Sequence, residues 1–230
     1  MKFKPSYTSS IAEDIMAERL IRAQAVEFLA DAPMRLKSGL ISPVYVDNRK
    51  LFSHPEAWRD IVETMASRVE EYDLEFDIVA GVEAAGSMHA AALAYRLGLP
   101  AIMVRQKAKT YGNHSRIEGG DVKDMRVLLL EDHISTGLSC CLDAIRALRG
   151  EGAQVTQVMS ITNYAIPETQ RLFKQEGIDT YDVIAFEKVV RKAKEMGVID
   201  DEHEKLVLEW LQTPWTWAAM HGVVASAIEN

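Results

Sequence analysis

The sequence contains only two cysteines, Cys140 and Cys141, and they are adjacent. Neighbouring cysteines rarely bridge to each other, so no disulfide framework exists, and no second pair is present to complete a zinc site. Small apolar packing in a reducing compartment is the expected role of both. The six histidines (54, 89, 114, 133, 203, 221) show no i, i+4 spacing, which argues against a structural metal site. No segment approaches the roughly 18 apolar residues of a membrane span. The opening MKFKPSYTSSIAEDIM has no apolar leader core, so a cytoplasmic protein without a membrane partner is expected. Basic residues are outnumbered, 26 against 34 acidic, and the net charge of −8 gives no global attraction for nucleic acid.

What is present is the composition of a globular protein, 48% hydrophobic and 26% charged over 230 residues. That length suits one domain with a full core. Short apolar runs alternate with helical patterns. Strands are expected at Val44–Asp47, Phe76–Gly81, Ala101–Arg105, Arg126–Leu130, Val155–Thr162 and Asp182–Phe186. Helices are expected over Ser10–Leu29, His54–Tyr72, Gly86–Leu97, Leu138–Arg149, Pro167–Glu176, Val189–Met196 and Asp201–Gln212. Ser10 and Glu13 have the spacing of a capping box. The alternation predicts an α/β fold, a parallel central sheet flanked by helices, with ligands outside the carboxyl ends of the strands.

The most informative stretch is VLLLEDHISTGLS, Val127 to Ser139. An apolar run ends in two adjacent carboxylates, Glu131 and Asp132. Ser135, Thr136, Gly137, Leu138 and Ser139 then lead from a small-residue turn into a helix. Free N–H groups and the dipole at a helix start favour a phosphate. Paired carboxylates suit sugar hydroxyls or a cation. Together they suggest a phosphorylated ribose.

Three further segments fit that reading. RQKAKTYGNHSRIEGG (105–120) carries Arg105, Lys107, Lys109, His114 and Arg116 between turn-forming residues, too polar for a core. Cations on a closing loop stabilise a departing pyrophosphate. GVEAAG (81–86) follows an apolar strand, and its glycines would let a backbone approach a pyrophosphate. Glu83 there either holds magnesium through water or faces solvent. Residues 36–49, LKSGLISPVYVDNR, hold a turn and a strand, and Asp47 and Arg49 are a possible ion pair.

The acid pair with its Ser-Thr-Gly turn resembles the motif for phosphoribosyl pyrophosphate (PRPP) of the phosphoribosyltransferases. Arg-x-Lys-x-Lys-x-Tyr-Gly with Ile117-Glu118-Gly119 resembles the catalytic loop of the orotate phosphoribosyltransferase family, and the tail from Val183 to Trp210 agrees. The resemblance implies that Glu131 and Asp132 hold the ribose hydroxyls and that residues 135–139 cradle the 5′-phosphate. It implies that Lys37, on a small N-terminal hood, reaches PRPP, and that Lys109, Lys107 and Arg105 meet the leaving group. It also implies a cis or strained peptide in the 81–86 loop, Mg2+ bound mainly through PRPP and water, and a homodimer whose 105–120 loop enters the neighbouring active site. Many members carry histidine where this chain has Tyr111, and a phenol (pKa ~10) is no neutral-pH proton shuttle; His114 is the alternative.

On this resemblance the chain is one phosphoribosyltransferase domain over 1–230: about 1–50 the N-terminal helix and hood, about 51–190 the PRPP-binding core, about 191–230 C-terminal helices. The expected substrates are PRPP and orotate, in UMP biosynthesis. Transfer to a purine or other base, and PRPP binding by a non-catalytic regulator, are the alternatives. Ser135 and the region of Tyr164 are candidates for reading the orotate carboxylate.

Overall fold

Runs such as Ile78–Val82 and Leu128–Leu130 offer no polar face to water, so each strand needs cover on both sides. The computed structural model, which describes residues 9–108, 115–136 and 141–223, supplies that cover with helices. The central strands are β5 (Ile78–Val82), β6 (Ala101–Val104), β8 (Arg126–Ile134), β9 (Gln154–Asn163) and β10 (Asp179–Ala185). They pair in parallel, and a short antiparallel strand, β7 (Ile117–Glu118), closes one edge in the order β10-β9-β8-β5-β6-β7. The sequence order reverses between β5 and β8. That switch point is where an open parallel sheet leaves a crevice at its carboxyl edge.

Helices cover the two faces with separate cores. On one side lie α1 (Ser9–Arg22), α2 (Pro55–Glu71), α3 (Ala85–Leu97), α6 (Phe186–Glu195) and α7 (Asp201–Gln212). Their core includes Leu20, Ile61, Leu93, Val190 and Trp210. On the other, α4 (Cys141–Gly150) and α5 (Pro167–Gln175) bury Ile145, Leu148 and Phe173 against Val127 and Leu129. A fully buried Leu or Ile contributes about 1.5–3 kcal/mol. Cys141 is buried in this second core, consistent with the packing role expected of it, while Cys140 lies outside the described residues. A last turn, α8 (Trp217–Met220), buries Trp217 and leaves Trp215 half exposed.

Several boundaries differ from expectation for identifiable reasons. The first helix stops at Arg22 rather than Leu29. Gln24 takes a positive φ of 53°, and the Ala25 N–H returns to the Leu20 carbonyl at 2.9 Å. Such a bond pattern ends helices. Val-Glu-Phe then forms β1 (Val26–Phe28), antiparallel to β4 (Val44–Val46). A second ribbon pairs β2 (Met34–Arg35) with β3 (Ile41–Ser42). These two ribbons form a small N-terminal lobe beside the sheet. Ser10 is the second residue of α1 rather than its cap, and both oxygens of Glu13 cross to other helices. One accepts from Arg68 of α2 at 2.9 Å, and the other pairs with Lys188 of α6. Arg68 is buried, and it also donates to Glu71 within α2.

At the far edge, Asp182 of β10 accepts from Ser160 Oγ at 2.6 Å. Burial pushes this carboxyl up to about 6. A folded pKa above the unfolded value of about 3.9 means that the native state binds the proton more tightly, so stability falls as pH rises from about 4 through 6. Asp182→Asn keeps the acceptor and should raise the melting temperature at pH 8 while changing it little at pH 4.5. Melts at the two pH values test this, and equal shifts at both would refute it.

Candidate active site

β8 runs four residues further than expected, to Ile134, because its two neighbours end at different heights. Its pairing with β5 ends at Gly81↔Leu130, while its ladder with β9 continues through Glu131↔Ser160 to Ile134↔Asn163. The acid pair therefore stands on an extended backbone that is held on one side and faces the switch-point crevice on the other. A cleft of about 790 Å³ opens there. Its walls include Lys37 and Arg49 from the N-terminal lobe, Glu83 and Gln106 at the roots of two loops, and Glu131, Asp132, Ser135 and Thr136 from β8 and its turn.

Local packing explains each wall. Gly81 and Gly86 let α3 press onto the sheet. A Cβ at Gly81 would lie 2.4 Å from Ser87 Cα, and one at Gly86 would lie 2.6 Å from the Leu130 carbonyl oxygen. The glycines thus serve helix–strand contact. The peptide between Glu83 and Ala84 is cis, as the resemblance implied. Glu83 does not simply face solvent: its carboxylate accepts from the Gln106 N–H at 3.1 Å, and its carbonyl from the Gln106 side-chain amide at 3.0 Å. The loop after β5 and the start of the basic segment are therefore joined.

Within the acid pair, Glu131 is buried and its Oε1 accepts from the Asp132 N–H at 3.2 Å. Burial pushes the Asp132 carboxyl up. Asn48, fully buried, starts a 3-10 helix (Asn48–Ser53) after β4. Its amide donates to the Asp132 carbonyl at 2.7 Å and to Thr162 Oγ1 at 3.2 Å. Thr162 Oγ1 also meets His133 Nδ1 at 2.9 Å. Burial drives that imidazole down to about 3, so it is neutral at ordinary pH and adds no charge beside the acids. Thr136 is buried, and its carbonyl accepts from Thr169 of α5 at 2.8 Å, which fixes the start of the turn.

The expected site residues divide. Lys37, Glu131, Asp132, Ser135 and Thr136 line one cleft. Gly137, Leu138, Ser139, Lys109, Tyr111 and His114 lie outside the described residues. Lys107 is exposed beside Gln106. Arg105 donates to Glu118 at 2.9 Å across β6 and β7, and its backbone N–H bonds Arg116 at 2.8 Å. The 105–120 segment is thus not wholly loop: Ile117 is buried and its far end is a strand. Tyr164 lines the cleft, but its hydroxyl donates to the Val44 carbonyl at 3.3 Å and its ring packs edge-on against Trp210. Its hydroxyl is thereby engaged as a strut between sheet and N-terminal lobe. Asn48 and Gln106 escaped the sequence reading. Lone amides beside turns carry no distinctive spacing, and only the fold brings them to the acids and to Glu83.

A parallel sheet with an acid pair and small-residue turn at its switch point, capped by an N-terminal lobe, is the architecture of a phosphoribosyltransferase. Residues 47–195 match the family model described as phosphoribosyl transferase domain. The orotate phosphoribosyltransferase of Coxiella burnetii is 40% identical over 202 residues, covering 88% of this chain and 96% of that one. The structure of the Aeropyrum pernix orotate phosphoribosyltransferase superposes with a TM-score of 0.68 at 26% identity, covering 80% of this chain and 99% of that one. The Mycobacterium tuberculosis orotate phosphoribosyltransferase in complex with PRPP gives 0.60 at 26% identity, covering 77% and 98%. The chain belongs to the orotate phosphoribosyltransferase family.

The closeness of α3 to β8 yields a test. Gly86→Ala places a methyl against the Leu130 carbonyl and 3.4 Å from Glu131 Cα. Overpacking of this kind costs about 1–3 kcal/mol, or several degrees in a domain of this size. The variant should melt lower and bind PRPP more weakly in a calorimeter; wild-type values for both would contradict the packing account.

Proposed function

We propose that the chain transfers the 5-phosphoribosyl group of PRPP to orotate, giving orotidine 5′-monophosphate (OMP) and pyrophosphate, a step of pyrimidine synthesis. The observation that carries this reading is the Glu131–Asp132 pair, set on β8 at the switch point and followed directly by Ser135 and Thr136 in the same cleft. Glu131 and Asp132 accept from the ribose 2′- and 3′-hydroxyls. Residues 135–139 take the 5′-phosphate at the start of α4, and Lys37 reaches PRPP from the lobe above.

The chemistry asked of the protein is modest. The bond from C1′ to the pyrophosphate oxygen breaks with its electron pair leaving on pyrophosphate, and N1 of the orotate anion bonds to C1′. Charge builds on the leaving group and on an oxocarbenium-like ring. Lys107 and Lys109 stabilise the first, with Arg105 acting from the ribbon where Glu118 anchors it. The second is favoured by the negative wall of Glu131 and Asp132. Lysines and arginines at ordinary pH do this without proton transfer, so Tyr111 need not replace a histidine as an acid.

Mg2+ fits this donor set. Among the described residues no group of three or more His, Cys, Asp or Glu could enclose a metal ion, but Glu83, Glu131 and Asp132 all line the cleft. These carboxylates would hold the ion through water and PRPP oxygens, and its charge would ease the departure of pyrophosphate. We further place the enzyme in the cytoplasm as a homodimer, with the 105–120 segment of one subunit reaching the other's site. Supporting this, no described helix is long and apolar enough to cross a membrane, and β6 and β7 deliver that segment at a sheet edge.

Two experiments test the reading. Protein, PRPP and Mg2+ are incubated separately with orotate, uracil, adenine, hypoxanthine and nicotinate while pyrophosphate release is followed. Orotate alone should react; turnover of a purine would overturn the base assignment, and PRPP binding without any turnover would favour a regulator. Lys109→Ala should lower kcat by roughly 100-fold or more with PRPP still bound, because its charge acts on the transition state. An undiminished kcat removes Lys109 from the mechanism.

A further inference from the structure

Orotate differs from uracil by one carboxylate, on the ring carbon next to the nitrogen that joins C1′. A cation suits that carboxylate better than a neutral donor, provided it sits beside the acids that hold the ribose. Three described cations line the cleft: Arg35, Lys37 and Arg49. Arg35 spends Nη1 on the Gly39 carbonyl at 3.1 Å, bridging the β2–β3 ribbon. Lys37 stands exposed at the turn of that ribbon, a point charge without the fork that matches a carboxylate.

Arg49 is placed differently. Its Nε donates to Asp47 Oδ1 at 2.6 Å and its Nη2 to Asp47 Oδ2 at 3.0 Å, a bidentate grip on one edge of the guanidinium. The Asp47 carboxylate also accepts from the Arg49 backbone N–H at 3.2 Å. Nη1 makes no hydrogen bond among the described residues, so a second edge, Nη1 with the remaining N–H of Nη2, keeps its donors. The preceding residue, Asn48, grips the Asp132 carbonyl at 2.7 Å. One rigid segment thus ties Arg49 to the strand that carries the ribose acids. The electrostatics agree: the hydrogen bond to Asp47 raises the Arg49 pKa most, and the charge of Asp132 adds to it, placing Arg49 within reach of the acid pair.

We propose that Arg49 is the residue that selects orotate, with Asp47 fixing one edge of its guanidinium so that the other takes the base carboxylate in a fork. The positioning matters because a loose arginine loses side-chain freedom on binding, whereas one already clamped does not. Asp47 is a positioning residue in this scheme and Arg49 a substrate-binding one. The inference rests on orotate being the base, and it names the side chain that reads it.

The test uses the full chain and compares two nucleotides that differ only in this carboxylate, OMP and uridine 5′-monophosphate (UMP). Calorimetry of wild type should give OMP the tighter binding by roughly 30-fold or more, the range of a bidentate charged pair. Arg49→Met keeps the stem and removes the charge; it should bring the OMP/UMP ratio to within about threefold of one, with UMP and PRPP affinities close to wild type. Arg49→Lys restores charge without the fork and should give an intermediate ratio. Asp47→Asn should weaken OMP more than UMP while leaving the charge of Arg49 in place. If Arg49→Met keeps the wild-type ratio, or if OMP, UMP and PRPP all weaken equally, Arg49 is not the reader. Orotate turnover by wild type, run alongside, separates this outcome from failure of the orotate assignment itself.

Discussion

The cleft depends on the side chain of Asn48. One amide, fully buried, donates both to the carbonyl of Asp132 and to Thr162, and so joins the N-terminal lobe to the two central strands β8 and β9. Tyr164 and Trp210 also bond the lobe, at the Val44 and Ile41 carbonyls, but Asn48 alone of these three grips the strand that carries the acid pair. A buried amide is directional and costly to leave unpaired. It therefore sets which residues of the lobe stand over the acid pair. Asp47 and Arg49 flank Asn48 in the chain and inherit their positions from it.

Polarity in this protein is concentrated where the sheet runs out. From Val127 to Leu130 the central strand is wholly apolar and buried. Above it, within six residues, come two carboxylates, a neutral histidine and a hydroxyl-bearing turn. Staggered strand ends make this possible: β5 has already turned into its loop while β9 still supplies a hydrogen-bonding neighbour. Burial then works on each group in the expected direction, raising the carboxyl of Asp132 and suppressing protonation of His133. The result is an acidic wall opposite the arginine and lysine of the lobe, a division that suits a substrate with a neutral diol, an anionic base and a strongly anionic leaving group.

Much of the architecture was legible in the sequence. The strand–helix alternation predicted the parallel sheet, and the acid pair before a Ser-Thr turn predicted the crevice. These signals are local: continuous apolar runs, adjacent like charges and small residues at a helix start. The errors have equally physical causes. Val26 to Phe28 was read as helix because apolar residues fit a 3.6 period as well as a period of two over so short a span. Tyr164 was placed at the site by its strand-end position and does line the cleft, but the partner of its hydroxyl, Val44, is 120 residues away and could not be inferred from spacing. Asn48 and Gln106 were invisible for the same reason. The 81–86 glycines were noticed, but their packing role against Leu130 and Ser87 exists only once α3 is laid on the sheet.

The indole of Trp210 donates to the carbonyl of Ile41 at 2.8 Å, across 169 residues of sequence. The ribbon that carries Lys37 is therefore braced by a helix made long after it. A chain emerging from the ribosome can lay down the strands and the acid pair while this brace is still missing. The side of the cleft formed by that ribbon takes its final shape only after the strands of the sheet have been made.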